Sequence, residues 1–456
     1  MNVLPTNVET ALDPAGLFDA IDLKGLKSVI VAVSGGSDSL ALLYLLIAYH
    51  ASRPSPPEII AVTIDHGLRP ESAGEARYVA ALCKEAGISH RILNWSGPKP
   101  YTGISAKARD VRYTLLCEAA RDAGTDVILT GHTLDDQIET YVMRSARVGE
   151  EGSDRGLAGM APATLLDREI WLVRPLLATS RASLRDYLRA KAIAWCDDPS
   201  NDDPKYERVR VRKALKGDDR ENVSKVIDEK VGQRRLVNAN TAQMLRHCVA
   251  ICDGVRAELR REIWAAQDAD SQYLGIGVLL ATIGGLSFLP SAENCRKALH
   301  HIFEHQPSGR ITLSRCVVQL KRDKVLIYRE MRSLPELTIA PNETAIWDGR
   351  YRICNHCNRP LNVAAGGTEG LRFLEERGYP NFNRASTLSS PALLSDGVVI
   401  GMPAAIDHAK LPEGVAVDRY LALFDHILSG YDEILAQSVA DIFQVQAYPV
   451  NQINKN

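Results

Sequence analysis

The sequence VIVAVSGGSDS at positions 29–39 decides the fold that we predict for this chain. Its apolar half, 29–33, is typical of a strand buried in a parallel sheet, and the run at 40–49 is typical of a buried helix. Between them lie two adjacent glycines, which let the backbone approach an anion closely. The start of the helix directs unpaired N–H groups and its positive dipole end to the same place. A strand, a glycine turn and a helix in this order predict a phosphate-binding site.

The residues of the turn indicate which class of phosphate-binding loop it belongs to. No Gly-Lys-Ser/Thr follows at the Walker A spacing, and the GxGxxG pattern of dinucleotide-binding folds is absent from the turn. SGGSDS instead resembles the PP-loop of the N-type ATP pyrophosphatases, which split ATP between its α- and β-phosphates. The alternative is a helix cap that binds no ligand. The predicted ATP-binding residues are Ser34, Gly35, Gly36, Ser37, Asp38 and Ser39.

Apolar runs alternate with amphipathic stretches over the next hundred residues. The predicted strands are 59–64, 90–93 and 127–130, and the predicted helices are 70–86 and 105–123, with a further helix that ends at about residue 147. This alternation favours an α/β fold with a doubly wound parallel sheet. Ligands of such folds bind beyond the carboxyl ends of the strands, where Ser34, Asp65 and Gly131 lie. We therefore expect these three positions to converge in one crevice.

The composition is that of a globular protein with several domains. The chain has 456 residues, 45% of them apolar, and 54 basic against 56 acidic side chains. The sequence shows neither a signal peptide nor an apolar run of membrane-spanning length, so we expect a cytoplasmic protein without membrane contact. No obligate protein partner is indicated. Only Cys354 and Cys357 of the nine cysteines form a C-x-x-C pair, and we expect reduced thiols rather than a metal centre.

The chain is predicted to contain four segments. They are a leader (1–26), a catalytic α/β domain (27–216), a helical domain (217–306) and a smaller α+β domain at the C-terminus (307–456). Within them we predict a glycine-rich loop at 149–165, a linker at 216–222, helical structure throughout 223–305 and a last helix at 420–437.

The segment 310–332 differs from the rest in pattern and charge. Its apolar residues alternate, which predicts a hairpin centred on Asp323 and Lys324. It has seven basic and two acidic residues. We expect a basic face here that contacts RNA phosphates through Arg315, Lys321, Arg322 and Lys324.

Seven motifs, in order, resemble those of the tRNA(Ile)-lysidine synthetases. They are SGGSDS (34–39), TIDHGLRPES (63–72), ARDVRY (108–113), GHTLDDQIET (131–140), GLAGM (156–160), RPLL (174–177) and DDPSNDDPKYERVRVR (197–212). The resemblance is close over about the first 215 residues and loose beyond them. It implies an enzyme that uses ATP to adenylate the wobble cytidine of tRNA(Ile) with a CAU anticodon. The ε-amine of L-lysine then attacks C2 of the cytosine and displaces AMP. The product, lysidine, changes the identity of the tRNA from methionine to isoleucine.

Three residues are predicted to carry the chemistry: Asp38, His132 and Asp136. An acidic side chain inside an anion site suits contact with Mg²⁺, so Asp38 is the candidate metal ligand, with helix capping as the alternative. Asp136 and Glu139 share a helix face and are candidates to bind the lysine ammonium or Mg²⁺, while Asp135 is expected to cap the helix and to assist in substrate binding. His132 is the candidate proton acceptor for the attacking amine, with a structural hydrogen bond as the alternative.

Arginines in the same motifs are candidates for phosphate contacts. They are Arg109 and Arg112 on one helix face, together with Arg174, Arg208 and Arg212. Planar guanidinium groups suit phosphates and developing negative charge. For each arginine the alternative is a solvated or ion-paired surface role.

Other functions remain open at this point. A tRNA thiolase would also adenylate a base carbonyl, but its chemistry calls for cysteines near the crevice. An amidotransferase-type synthetase calls for a glutaminase, and the sequence shows no such nucleophile motif. A non-catalytic RNA-binding protein is disfavoured by the intact SGGSDS turn.

Overall fold

The computed structural model divides the chain into two compact units. It describes residues 12–147, 154–197, 203–205, 207–215, 217–252, 254–304, 309–379, 382–404, 411–451 and 453, with only the backbone of residues 105, 217 and 218. Unit 1 comprises Met1–Val231 and Pro449–Asn456, and unit 2 comprises Gly232–Tyr448. These units do not coincide with the four predicted segments, whose status as domains stays a prediction.

Helices and strands alternate in unit 1. They are α1 (Pro14–Phe18), β1 (Ser28–Ala32), α2 (Ser37–Ala51), β2 (Glu58–Asp65), α3 (Ser72–Glu85), β3 (Ser89–Asn94), α4 (Ile104–Asp122), β4 (Val127–Thr130), α5 (Leu134–Ser145), β5 (Ala163–Leu166), β6 (Ile170–Val173), α6 (Arg181–Ala190), α7 (Glu207–Ala214) and α8 (Gly217–Cys248), which continues into unit 2. None of the helices among the described residues is both long and apolar enough to cross a membrane.

The strands of unit 1 form one sheet in the order β5-β6-β4-β1-β2-β3. β6, β4, β1, β2 and β3 pair in parallel, and β5 pairs antiparallel to β6 at one side. Both faces of the central strand are buried: Ile30 packs with Leu116 and Ala120 of α4, and Val29 and Val31 are buried on the opposite face. Because parallel sheets are covered on both faces, this burial explains the continuous apolar run of β1. The predicted α/β class is confirmed.

Two predictions for unit 1 were wrong. The stretch 149–165 was predicted to be a loop; 149–153 lie outside the described residues, and the rest contains a 3₁₀ turn (Asp154–Ala158) and the start of β5. Apart from residue 216, which lies outside the described residues, the linker predicted at 216–222 falls within α8, a helix of 32 residues. Glycine and charge were given too much weight in both places. β5 in particular is stabilised by pairing with β6, which overrides local preference.

Unit 2 combines helices with three further sheets. Its elements are β7 (Val249–Cys252), β8 (Arg256–Arg260), α9 (Arg261–Ala265), α10 (Ala269–Gly284), α11 (Ala292–Glu304), β9 (Arg310–Leu313), β10 (Cys316–Leu320), β11 (Lys324–Arg329), β12 (Leu337–Ile339), β13 (Glu343–Trp347), β14 (Tyr351–Asn355), β15 (Leu361–Ala365), α12 (Gly367–Glu376), α13 (Arg384–Thr387), β16 (Pro391–Ser395), β17 (Val398–Gly401), β18 (Val415–Arg419), β19 (Ile427–Ser429) and α14 (Glu433–Phe443). The sheet orders are β7-β8-β11-β10-β9, β12-β15-β16-β17 and β13-β14-β18.

The hairpin predicted in unit 2 is confirmed, and two helix predictions there were wrong. β10 and β11 pair antiparallel around residues 321–324. The region predicted to be helical throughout, 223–305, contains β7 and β8. Periodicity cannot separate an apolar run as short as VAIC from a helix segment. The last helix, α14, begins at Glu433 rather than near residue 420.

The basic residues of 310–332 do not form one face. Arg329 is fully buried and, like Arg315, pairs with Asp348. Lys324 pairs with Glu258 at 2.7 Å. Arg315 and Lys324 therefore do not present unpaired charge, whereas contact of this segment with RNA stays a prediction. A run of charge along a sequence does not show which cations have partners.

Candidate active site

The predicted phosphate turn connects the end of β1 to α2. Gly35 has a φ of +87°, which favours glycine. A Cβ there would also lie 3.3 Å from the Val79 side chain. Gly36 is the N-cap of α2, and the first intrahelical bond runs from Leu40 N to Gly36 O at 3.1 Å. Since the first N–H groups of a helix have no intrahelical partner, those of α2 are available to an anion.

All three serines form hydrogen bonds within the turn, and the hydroxyls of Ser34 and Ser39 lie 3.2 Å apart. The Ser39 hydroxyl donates to Gly36 O at 3.1 Å and accepts from Ser34 N at 3.1 Å. The Ser37 hydroxyl donates to Asp38 Oδ1 at 3.0 Å. These bonds stabilise the conformation of the turn.

Gly131 brings the second motif against this turn. It follows β4, whose strand pairs in parallel with β1. A Cβ at Gly131 would lie 2.9 Å from the backbone carbonyl of Asp38 and 3.0 Å from Ser39 Cα. Because backbone atoms cannot move aside like a flexible side chain, only glycine fits at this close approach. The motif starting at Gly131 thus lies directly beside the phosphate turn, as its position after a parallel strand predicted.

Helix α5 begins with a capping box that uses Asp136. Thr133 Oγ1 accepts from Asp136 N at 3.5 Å, and Asp136 Oδ2 accepts from Thr133 N at 2.9 Å. The prediction that Asp135 caps this helix was wrong: Asp135 accepts from the backbone N–H of Arg181 at 2.8 Å and pairs with Arg220. Asp136 and Glu139 do lie on one side of α5, where both contact Arg181.

Arg181, the first residue of α6, connects the two motifs. Its Nε donates to Asp38 Oδ2 at 2.8 Å, and its Nη2 lies 3.4 Å from Asp136 Oδ1. Its Nη1 lies 3.7 Å from Glu139 Oε1. Burial opposes the charge of this guanidinium, but Asp38 and Asp136 outweigh burial and raise its pKa. Arg181 is therefore a permanent cation between the phosphate turn and α5.

Arginines of α7 surround the other side of Glu139. Arg212 Nε lies 2.7 Å from Oε1, and Arg208 Nε lies 3.8 Å from Oε2. The Glu139 side chain is only 2% exposed. Within the described part of the chain its Oε2 accepts no hydrogen bond. Glu139 is thus a buried acceptor with unused capacity.

His132 lies between β4 and α5 and has little basicity in this state. Its Nδ1 lies 3.0 Å from Thr130 Oγ1, and that hydroxyl donates to Val173 O at 3.4 Å. This arrangement places the imidazole proton on Nδ1 and the lone pair on Nε2. Burial, followed by the charge of Arg174, lowers the pKa of His132 to about 3. The imidazole is therefore neutral at pH 7.

The remaining predicted arginines differ in their surroundings. Arg174 is buried and donates to Ala161 O at 2.7 Å and to Thr164 Oγ1 at 2.9 Å, which assigns it a structural part beside β5. Arg109 and Arg112 lie over the Tyr113 ring, at 5.2 and 5.6 Å from its centroid. Neither forms an ion pair with a residue that the structure describes. Both also help to lower the pKa of His132, so they lie near it with uncompensated charge.

The residues at the turn fit a magnesium ion that is shared with phosphates. Among the described residues no three His, Cys, Asp or Glu side chains form a metal-binding group. Mg²⁺ in phosphoryl-transfer sites is bound by one or two carboxylates together with phosphate oxygens and water. Asp38 is such a carboxylate at the edge of the turn.

Cys354 and Cys357, the C-x-x-C pair of the sequence, are free thiols. Cys354 accepts a hydrogen bond from Thr344, and Cys357 donates one to Glu413 O.

Sequence reasoning missed Arg181 and Arg220. Arg181 binds Asp38 and Asp136, and Arg220 binds Asp135. These partners lie far away along the chain, and no short-range spacing reveals such contacts. One local signal existed for Arg181. A cation at the start of a helix is unfavourable because of the helix dipole, so its presence there indicates a nearby carboxylate.

The chain is similar to known proteins over nearly its whole length. A family model described as a PP-loop domain matches residues 8–217. The tRNA(Ile)-lysidine synthases of Brucella canis and Brucella melitensis biotype 1 are each 41% identical to it over 438 residues, 94% of this chain and 97% of theirs. The U34-tRNA thiolase NcsA from Methanococcus maripaludis is 18% identical, with a TM-score of 0.39 over 48% of this chain and 77% of that one.

Proposed function

Because the chain belongs to the tRNA(Ile)-lysidine synthase family, we propose that the crevice between the phosphate turn and α5 attaches L-lysine to the wobble cytidine of tRNA(Ile) with a CAU anticodon. The chain is an ATP-using enzyme of tRNA modification with a PP-loop domain. The observation that supports this proposal most is the close approach of Gly131 to Asp38 and Ser39, because it brings the predicted phosphate turn close to the start of α5. A cytoplasmic location stays a prediction.

In the first half-reaction the cytosine oxygen becomes a leaving group. O2 of the cytosine attacks the α-phosphorus of ATP, an O–P bond forms, and pyrophosphate leaves. The N–H groups at the start of α2 are oriented to hold the departing phosphates. Asp38 would hold Mg²⁺, which supplies charge neutralisation at the phosphates when it is bound. Arg112 has no carboxylate partner among the described residues and is free to bind a phosphate oxygen.

In the second half-reaction the lysine ε-amine attacks C2 of the cytosine. A C–N bond forms, the C–O bond breaks, and AMP leaves with the bonding electrons. Asp136 and Glu139 are the acceptors for the ammonium group of incoming lysine, because both are oriented into the same space and Glu139 Oε2 has unused capacity. His132 Nε2, which carries the lone pair of the neutral imidazole, is the acceptor that we assign to the amine proton.

Incorporation of labelled lysine tests this function directly. The full chain is incubated with ATP, Mg²⁺, ¹⁴C-lysine and tRNA(Ile) transcript carrying CAU, and the label in acid-precipitated RNA is counted. We expect incorporation that requires ATP and is lost with a UAU transcript. Lysine-independent consumption of ATP with sulphur transfer to the RNA would instead support the thiolase alternative.

A further inference from the structure

The acidic cluster beside the phosphate turn is electrically balanced before any substrate binds. It contains four carboxylates, Asp38, Asp135, Asp136 and Glu139, and four arginines, Arg181, Arg208, Arg212 and Arg220. A cationic lysine side chain entering this cluster finds no net negative charge to attract it. One of the arginines must therefore withdraw before an ammonium group can bind well.

Arg181 is the arginine whose position blocks the ammonium site. Its guanidinium contacts both Asp136 and Glu139, the two carboxylates proposed for lysine. Arg208 and Arg212 contact Glu139 but not Asp136. The Arg208 side chain is 46% exposed, and its Nε lies 3.8 Å from Glu139. The Arg181 side chain is 16% exposed and lies at the centre of the cluster.

The same guanidinium also touches the phosphate turn. Its shortest contact, 2.8 Å, is with Asp38, which is part of the turn itself. A triphosphate bound at the start of α2 would present several acceptors next to this contact. Guanidinium groups bind phosphate oxygens through two parallel hydrogen bonds. The contacts of Arg181 with Asp136 and Glu139, at 3.4 and 3.7 Å, are longer and single.

We propose that Arg181 is a positioning residue that couples the two substrate sites, so that lysine binds well only after ATP. In the free enzyme its guanidinium occupies the place of the lysine ammonium. ATP draws it toward the phosphate turn and leaves Asp136 and Glu139 with net negative charge. This inference rests on the proposed lysine site. It explains how the nucleophile is kept out until the nucleotide is bound.

Lysine binding in the presence and absence of nucleotide measures this coupling. Equilibrium dialysis with ¹⁴C-lysine is carried out on the full chain, with and without α,β-methylene-ATP and Mg²⁺. For the wild type we expect at least tenfold tighter lysine binding with the analogue. Arg181→Gln should bind lysine equally in both conditions, with an affinity close to that of the nucleotide-bound wild type.

Two further variants complete the experiment. Arg189→Gln is the matched control, because Arg189 lies two turns along the same helix and pairs with Asp186 at the surface. It should keep the full coupling. Arg181→Lys retains the positive charge but lacks the paired N–H donors of a guanidinium group. It should therefore fold even if Arg181→Gln does not, and its coupling should fall below threefold.

The possible results separate this inference from the function on which it rests. Full tenfold coupling in a folded Arg181→Gln or Arg181→Lys protein overturns the role of Arg181. Loss of lysine binding by Arg181→Gln in both conditions also overturns it, since Arg181 would then support the site rather than block it. Failure of the wild type to bind lysine in either condition would refute the lysine site itself.

Discussion

Asp136 has two tasks that a single substitution can separate. Its Oδ2 caps α5 and its Oδ1 is directed toward Arg181. Asp136→Asn keeps an oxygen for the cap but removes the charge. If the carboxylate attracts the lysine ammonium, the KM for lysine should rise tenfold or more while the KM for ATP stays within twofold.

Quenched single-turnover measurements show which half-reaction Asp136 serves. Asp136→Asn should accumulate adenylated tRNA, because only the second step needs lysine. Asp122→Asn is a matched control, since Asp122 is exposed at the last residue of α4 and its carboxylate lies 3.7 Å from Arg91. If the adenylated intermediate fails to accumulate, the cluster belongs to the nucleotide site and the lysine assignment is wrong.

His132 gives the folded state a dependence on pH. Burial and Arg174 lower its pKa to about 3, below the value near 6.5 of the unfolded chain. Protons therefore bind the unfolded chain more tightly, and stability is lost as pH falls below 6.5 toward 3. Each unit by which the pKa of the folded state lies below that of the unfolded chain corresponds to about 1.4 kcal/mol of unfolding free energy.

Replacing His132 should remove part of this dependence. For His132→Asn we expect the free energy of unfolding to fall about 1 kcal/mol less between pH 7.5 and pH 5.5 than for the wild type. Urea denaturation at the two pH values measures the difference. Equal losses in both proteins would contradict a strongly lowered pKa.

Gly131 is predicted to be intolerant of any side chain. In Gly131→Ala the new methyl would meet the backbone of Asp38 and Ser39 at 2.9–3.0 Å, so the turn must shift. We expect ATP–pyrophosphate exchange in the presence of tRNA to fall by more than tenfold. Gly74→Ala is the control, because a Cβ there meets nothing within 4 Å. Unchanged exchange in Gly131→Ala would mean that the turn does not hold the phosphates.

At the scale of elements, one end of a sheet in unit 2 concentrates free positive charge. β8, β11, β10 and β9 are neighbours, and their register places Arg260, Arg310, Lys321 and Arg322 at the same end. All four are exposed, and none pairs with a carboxylate among the described residues. The structure thus replaces the predicted basic face with a smaller basic end of the sheet, formed by these four residues.

This basic end should contribute to tRNA binding through phosphate contacts. Neutralising Arg310, Lys321 and Arg322 with glutamine should weaken binding and lower the slope of log K against log salt by up to about 3, since each lost contact removes about one released counterion. Filter binding at several salt concentrations gives the slope. The control replaces Arg315, which pairs with Asp348 and should leave the slope unchanged. An unaltered slope in the triple variant would mean that this end is only solvated.

Elements that depend on local pattern were predictable, and those that depend on distant partners were not. The phosphate turn, β1 to β4 and the hairpin of β10 and β11 follow from periodicity and glycine. β5 was missed because its four residues are stabilised by antiparallel pairing with β6. At the site, Asp38, Asp136 and Glu139 follow from spacing, whereas Arg181 meets Asp38 across 143 positions. No spacing rule reaches so far.

At the scale of the whole molecule, the proposed site of the chemistry and the basic end of the sheet lie in different units. The phosphate turn and α5 belong to unit 1, and the basic end of the sheet belongs to unit 2. The two units should therefore fail in different ways when each is altered. Asp38→Ala should abolish adenylation and leave the tRNA dissociation constant within about twofold, because it removes no phosphate contact to RNA.

The Arg310, Lys321 and Arg322 triple variant should show the opposite behaviour. Its tRNA dissociation constant and its KM for tRNA should rise together by tenfold or more at physiological salt. Its kcat for lysine incorporation should return to the wild-type value when tRNA is saturating, since the groups that react are untouched. Steady-state kinetics over a range of tRNA concentrations, with filter binding on both variants, provides the comparison. If Asp38→Ala loses tRNA affinity as fully as activity, or if the triple variant has a low kcat at saturating tRNA, RNA binding and chemistry are not divided between the units in this way.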